Sequence, residues 1–321
     1  MNTNLRLWRW LGLIFVLSFG ALGFLGYQIH LSAPPIPKAV VTADGDLLYT
    51  GDQIRNGQQV WMSTGGQQLG TVWGHGSYVA PDWSADWLHR EATALKDLRT
   101  DAHRRAQPSL TDADRAAIDA ALAAEMRRNT HDAERDGIVA SAERAQAIRK
   151  TAAHYDALFG NDASLESLRE QYAIAAGVLP AAADRQALTA FLFWTSWAAA
   201  TDRPGEPGVS YTSNWPHEPL VGNTMTGSAA IWSMVSIVLL IAGIGAMLWF
   251  HGSRAHEPEP ALPKADPFLN LTATPSMKAT RKYFFAVVGL ILLQIGMGIV
   301  TAHYAVEGRS LFGIPLAELL P

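Results

Sequence analysis

Ser228-Ala-Ala-Ile-Trp-Ser-Met-Val-Ser-Ile-Val-Leu-Leu-Ile-Ala-Gly-Ile-Gly-Ala-Met-Leu-Trp-Phe250 contains no charged residue. At about 1.5 Å per residue such a run crosses the roughly 30 Å hydrocarbon core of a bilayer as a helix. Trp10–Ile29 and Tyr283–Ala302 are charge-free in the same way. With 49% apolar and only 17% charged residues over 321 positions, the chain reads as a membrane protein with a polar part. Arg6 and Arg9 before the first run resemble the start of a secretory signal. The run is too long for a signal h-region, however, and Leu31-Ser-Ala-Pro-Pro35 offers no convincing cleavage site, so an uncleaved anchor is expected.

Lys and Arg placement sets the orientation. Arg6 and Arg9 precede the first span, while Arg254, Lys264, Lys278, Arg281 and Lys282 lie between the second and third. Positive residues concentrate in short cytoplasmic segments. The expected order is a cytoplasmic N-terminus and first span (1–29), an outer region (30–227), a second span (228–250), a cytoplasmic loop (251–282), a third span (283–303) and an outer tail (304–321).

Pro34, Pro35 and Pro37 make a stiff exit from the first span. Residues 40–87 are rich in Gly, Trp and turn formers, and short helices or strands are expected there. From Ser84 to Ala200 the composition turns Ala-rich with mixed charge. Helices are expected over Ser84–Thr100, Asp112–Arg128, Asp132–Leu158 and Leu165–Gly177, with an N-cap near Ser109 to Asp112. No sustained heptad supports a coiled coil. Four prolines between 204 and 219 forbid a continuous helix, so Tyr211–Asn223 should form a structured collar before the second span.

The absence of cysteine excludes disulfides, thiolate metal sites and a thioether-linked haem. No basic block with interleaved aromatics points to nucleic acid. His75 and His89 lack partners at ligand spacing, so no metal is expected. Trp61, Trp73 and Trp83 among many glycines fit a packed core, a ligand pocket or a carbohydrate platform; Gly74-His-Gly76 is not a dinucleotide fingerprint. Gln294 in the third span suits a hydrogen bond to a neighbouring helix. His303 and Glu307, four residues apart, share one helix face. Such a pair can accept protons from an amphipathic donor, or can simply cap a helix end in headgroup water.

Several strings resemble the quinol-dependent nitric oxide reductases: Gln58–Trp61, Val72-Trp-Gly-His-Gly-Ser-Tyr-Val-Ala-Pro-Asp-Trp83, Ala85-Asp-Trp-Leu-His-Arg-Glu91, Phe193-Trp-Thr-Ser-Trp197, Arg203-Pro-Gly-Glu206 and Tyr211–Leu220. Thr301-Ala-His-Tyr-Ala-Val-Glu-Gly308 and Phe312-Gly-Ile-Pro-Leu-Ala-Glu-Leu-Leu-Pro321 continue the likeness in order. The resemblance implies a mainly α membrane protein of the haem-copper oxidase superfamily, with three transmembrane helices and a periplasmic cytochrome c-like domain lacking haem. It places the chain in the bacterial inner membrane as the amino-terminal portion of an enzyme reducing two NO to N2O and water.

Carried over residue by residue, the likeness makes His303 and Glu307 quinol-site residues and Phe312 the aromatic contact to the quinone ring. Haem b, haem b3 and a non-haem iron are expected in the complete enzyme on a carboxy-terminal catalytic bundle, the partner this chain lacks, and no residue of this chain is expected to ligate them. Gly76 and Tyr78 match a region that faces a calcium in haem-bearing relatives, but no calcium is assigned here. The remaining partners are membrane quinol and the lipid bilayer. A truncated, fragmentary or split reductase is the expectation, with a catalytically inactive, membrane-anchored interaction or assembly module as the alternative.

Overall fold

The computed structural model describes residues 3–66, 69–74, 80–254 and 272–307. Three helices are long and apolar enough to cross a membrane: α1 (Thr3–Leu31), α8 (Gly227–Arg254) and α9 (Pro275–Glu307). Their apolar side chains are exposed almost throughout, as a lipid-facing surface requires. Each helix extends past its charge-free run, because backbone hydrogen bonding continues where the side chains become polar. The chain divides into two compact units, with the changeover in sequence at Thr224 and Met225 and the short stretch Gln59–Gly65 grouped with the second. Within the first unit, the described residues of 32–58 and 66–224 form a folded head.

The head is mainly helical. After β1 (Ala39–Thr42) and β2 (Leu47–Thr50) come α2 (Gly51–Ser63), α3 (Trp83–Ala106), α4 (Asp112–Arg127), β3 (His131–Asp132) and β4 (Gly137–Ala140). Then follow α5 (Ala142–Phe159), the short α6 (Glu166–Gln171), α7 (Ala182–Ala200), and the hairpin of β5 (Asp202–Arg203) and β6 (Glu206–Ser210). Helix α3 packs against α4, α5 and α7, and α5 also packs on α7.

Helix α7 is the centre of this layer. Every residue from Ala187 to Ala200 is buried. Its sequence, apolar on all sides over about a dozen residues, is that of a core helix rather than a membrane span. Against it lie Trp83 and Trp87 of α3 and Tyr155 and Phe159 of α5, all essentially without solvent exposure. Gly57 lets α2 approach α7. A Cβ there would sit 2.0 Å from the Ala187 carbonyl oxygen and 2.6 Å from Phe191 Cβ. Gly57→Ala must therefore push the helices apart, and we expect a loss of about 1–3 kcal/mol of stability in a chemical denaturation series.

Two helices differ from the sequence expectation. Residues 132–140 are not helical: β4 pairs in parallel with β1, Ala39 opposite Gly137 through Thr42 opposite Ala140, and β3 adds antiparallel. The order β2-β1-β4-β3 makes a small mixed sheet. β-Branched Ile138 and Val139 suit a strand, and Ser141, whose hydroxyl accepts from the Arg144 amide, caps α5 only after it. The helix expected over Leu165–Gly177 shrinks to α6, because Ala173 adopts a left-handed φ of 55° that ends it. The N-cap expected near Ser109 to Asp112 is Thr111, which forms a capping box with Asp114 on α4, and Asp82 caps α3.

Candidate functional site

Helix α9 remains helical through Glu307, so residues 303 and 307 stand one turn apart on the same face. The side chains of His303 and Glu307, and the whole of Phe312, lie outside the described residues, as do His75, Gly76 and Tyr78. Gln294 is on α9 and exposed.

The Gly- and Trp-rich segment is built into the head around one carboxylate. Asp82 is buried; its Oδ2 accepts from Thr71 Oγ1 at 2.7 Å and from the Gly74 amide at 2.6 Å. Its Oδ1 accepts from the Ala85 amide at 3.0 Å and from Ser84 Oγ. Trp73, at a left-handed φ of 52°, donates its indole N–H to the Thr195 carbonyl at 2.8 Å. Trp215 donates its indole N–H to the Gly74 carbonyl at 2.8 Å, which ties the collar to this segment. Of the three readings open to these tryptophans, the arrangement at Trp73 and Trp83 is that of a packed core. Trp83 has edge contacts with Tyr155, Phe159 and Tyr172.

The collar is ordered by two buried asparagines. Asn214 Nδ2 donates to the Gly208 and Thr224 carbonyls at 2.8 and 2.7 Å, and its Oδ1 accepts from the Ser210 amide. Asn223 Nδ2 donates to the Ala199 and Pro216 carbonyls, and its Oδ1 accepts from the Glu218 amide. Arg127 grips Asp202 at 2.8 Å and the Gly222 carbonyl at 3.0 Å. His89 Nδ1 lies 3.0 Å from Glu218 Oε2, within hydrogen-bond distance. Among the described residues no group of three His, Asp or Glu side chains could hold a metal.

A family model for the NorB cytochrome c-like domain of nitric oxide reductase matches residues 37–217. That stretch is the head just described. The chain belongs to the NorB family of nitric oxide reductases. No curated protein matches it. A cytochrome c-like head invites the question of a haem. Thioether attachment needs cysteines, which this reductase-family chain lacks, and the space between α3, α5 and α7 is filled by Trp87, Tyr155 and Phe193 side chains. The residues present do not fit a thioether-linked haem.

Two buried phenols give the reductase head a pH dependence. Burial, then the Asp86 charge and its hydrogen bond at 2.6 Å, push Tyr155 well above the ordinary tyrosine range. Burial likewise raises Tyr49, with the Thr189 hydrogen bond opposing it and the Glu91 charge adding to it. Above about pH 10 the unfolded chain releases these protons while the folded one retains them, so stability is full below that pH and falls as pH rises. We expect a decline approaching 1.4 kcal/mol per pH unit for each phenol, roughly, in denaturation series at alkaline pH. Tyr155→Phe should remove its share of that slope.

Proposed function

We propose that the chain supplies the periplasmic head and part of the quinol-oxidation site of a quinol-dependent nitric oxide reductase. The reaction is 2 NO + 2 electrons + 2 protons to N2O and water, with membrane quinol as donor. The observation that carries this reading is the family match over the head, followed in the same chain by a helix that continues through His303 and Glu307.

A quinol must lose two protons as it loses two electrons. An imidazole at the membrane boundary takes a hydroxyl proton, and a carboxylate one turn away orients the ring and carries the charge. Phe312 contributes an aromatic surface for the quinone ring. The Lys and Arg distribution puts the N-terminus in the cytoplasm and the head in the periplasm, across the bacterial inner membrane. Haem b, haem b3 and non-haem iron belong to a carboxy-terminal catalytic bundle, the partner in this reading. When bound, they would carry electrons and activate NO, while this chain's residues hold and move protons.

The test is His303→Ala in the complete enzyme. Quinol-driven turnover should fall by about 10²–10⁴, the usual contribution of a positioned acid–base group, while turnover with an artificial electron donor persists. Equal loss with both donors would refute the assignment.

A further inference from the structure

We propose that the cleft between α3 and α5 binds a small carboxylate with a short apolar body. The cleft encloses about 330 Å³ and lies away from α9 in the sequence. Arg90, Thr93 and Ala94 of α3 face Lys150, Thr151 and His154 of α5 across it. A volume of this order is at the small end of ligand sites, which run from about 300 to 1,000 Å³. Most of the lining is carbon, which suits an alkyl body rather than a bare ion.

The polar groups of the lining point to the headgroup. Thr151 is only 2% exposed, yet its hydroxyl has no hydrogen-bond partner among the described residues. A helical threonine usually returns its hydroxyl to a carbonyl one turn back, and a buried unpaired hydroxyl is costly. His154 Nε2, one turn from Thr151 on the same side of α5, is likewise buried and unpaired among the described residues. Burial, then the Arg90 charge, holds this imidazole below its ordinary range, so at neutral pH it offers a ring N–H without a charge of its own. Lys150 is exposed and has no ion pair among the described residues, which leaves its ammonium as the uncommitted cation of the cleft. Arg90 is held in place by Asp86 at 2.8 Å.

The remaining members set the charge. Asp97 borders the cleft and repels a second negative charge, so a monoanion is preferred over a dianion such as phosphate. His89 also borders the cleft and is engaged with Glu218. Lys150, the Thr151 hydroxyl and the His154 N–H are the three donors that a carboxylate can use.

The experiment uses the full chain in detergent, with butyrate as the probe and saturation-transfer NMR as the readout. Butyrate should bind, and the His154 ring should titrate at higher pH in its presence. Lys150→Met, at an exposed position, should weaken binding roughly tenfold, the loss expected when a charge-assisted contact is removed. Thr151→Val, which keeps the shape and removes the hydroxyl, should weaken it several-fold. If Thr151→Val fails to fold, the Lys150 variant and the His154 titration decide alone. No transfer to butyrate at tens of millimolar, an unmoved His154 titration, or loss of the butyrate signal on adding an equal concentration of phosphate would overturn the proposal.

Discussion

Glu91→Ala should cost about 3–5 kcal/mol of stability, the range found when one member of a buried ion pair is removed. Glu91 has no solvent exposure, and Arg144 is 3% exposed. Arg144 Nε donates to Glu91 Oε1 at 2.8 Å, and the Trp87 indole donates to Oε2 at 2.8 Å. Deleting the carboxylate strands a guanidinium and an indole N–H where water cannot reach them. The wild-type pair itself need contribute little, because desolvating two ions offsets most of their attraction. The double variant Glu91→Leu with Arg144→Met should therefore recover most of the loss, since neither charge remains buried. Chemical denaturation of Glu91→Leu, Arg144→Met and the double variant gives the coupling directly. A loss under about 1 kcal/mol for Glu91→Ala would mean that water reaches Arg144 and that the interior is looser than its packing indicates.

The two variants also separate what holds α3 to α5. Trp87 stacks on Tyr155 with ring centroids 5.2 Å apart and planes 10° from parallel, an apolar contact that the ion pair accompanies. If the double variant regains stability, the aromatic layer is the main cohesive term and the charges fix the register of the helices.

How much of the fold is legible in the sequence depends on the range of the interaction. The membrane helices announce themselves because a span needs only its own 20 or so apolar residues, roughly. Caps are as local, and Thr111 stands where the sequence pattern puts a cap. Residues 132–140 read as helix because their strand is made by a partner distant in the chain: Ile138 lies opposite Val40, and nothing near either residue specifies the pairing. Helix α7 carries a signal of its own. The run Ala187–Ala200 has no charge, is too short to span a bilayer, and is therefore the natural centre of the head. The hydrogen bonding of the collar has no such signature. Asn214 and Asn223 look like any loop asparagines until the backbone carbonyls and amides that converge on each side chain are traced. For the candidate site, the four-residue spacing of His303 and Glu307 fixes a shared face, whereas the role proposed for them rests on the family likeness.

Asp82→Ala is expected to cost about 2–4 kcal/mol, combining a lost helix cap with buried donors left without an acceptor. One carboxylate joins three parts of the chain: the start of α3 through the Ala85 amide, the Gly74 turn through its amide, and Thr71 through its hydroxyl. Asp82→Asn tests the geometry more sharply. Its oxygen can replace Oδ1 toward Ala85, but the amide nitrogen then stands where Oδ2 accepts from the Gly74 N–H, so two donors face each other. Rotating the amide only moves the same clash to the cap. The asparagine variant should therefore lose at least half as much stability as the alanine variant, although it replaces only one carboxylate oxygen by an amide nitrogen. Hydrogen exchange locates the effect. The Gly74 amide should lose protection in both variants, while Trp83, whose amide donates to the Thr71 carbonyl at 2.8 Å, should lose less. Uniform loss across α3 would instead mean that Asp82 sustains the whole helix layer, and that the Gly74 turn cannot open without unfolding the head.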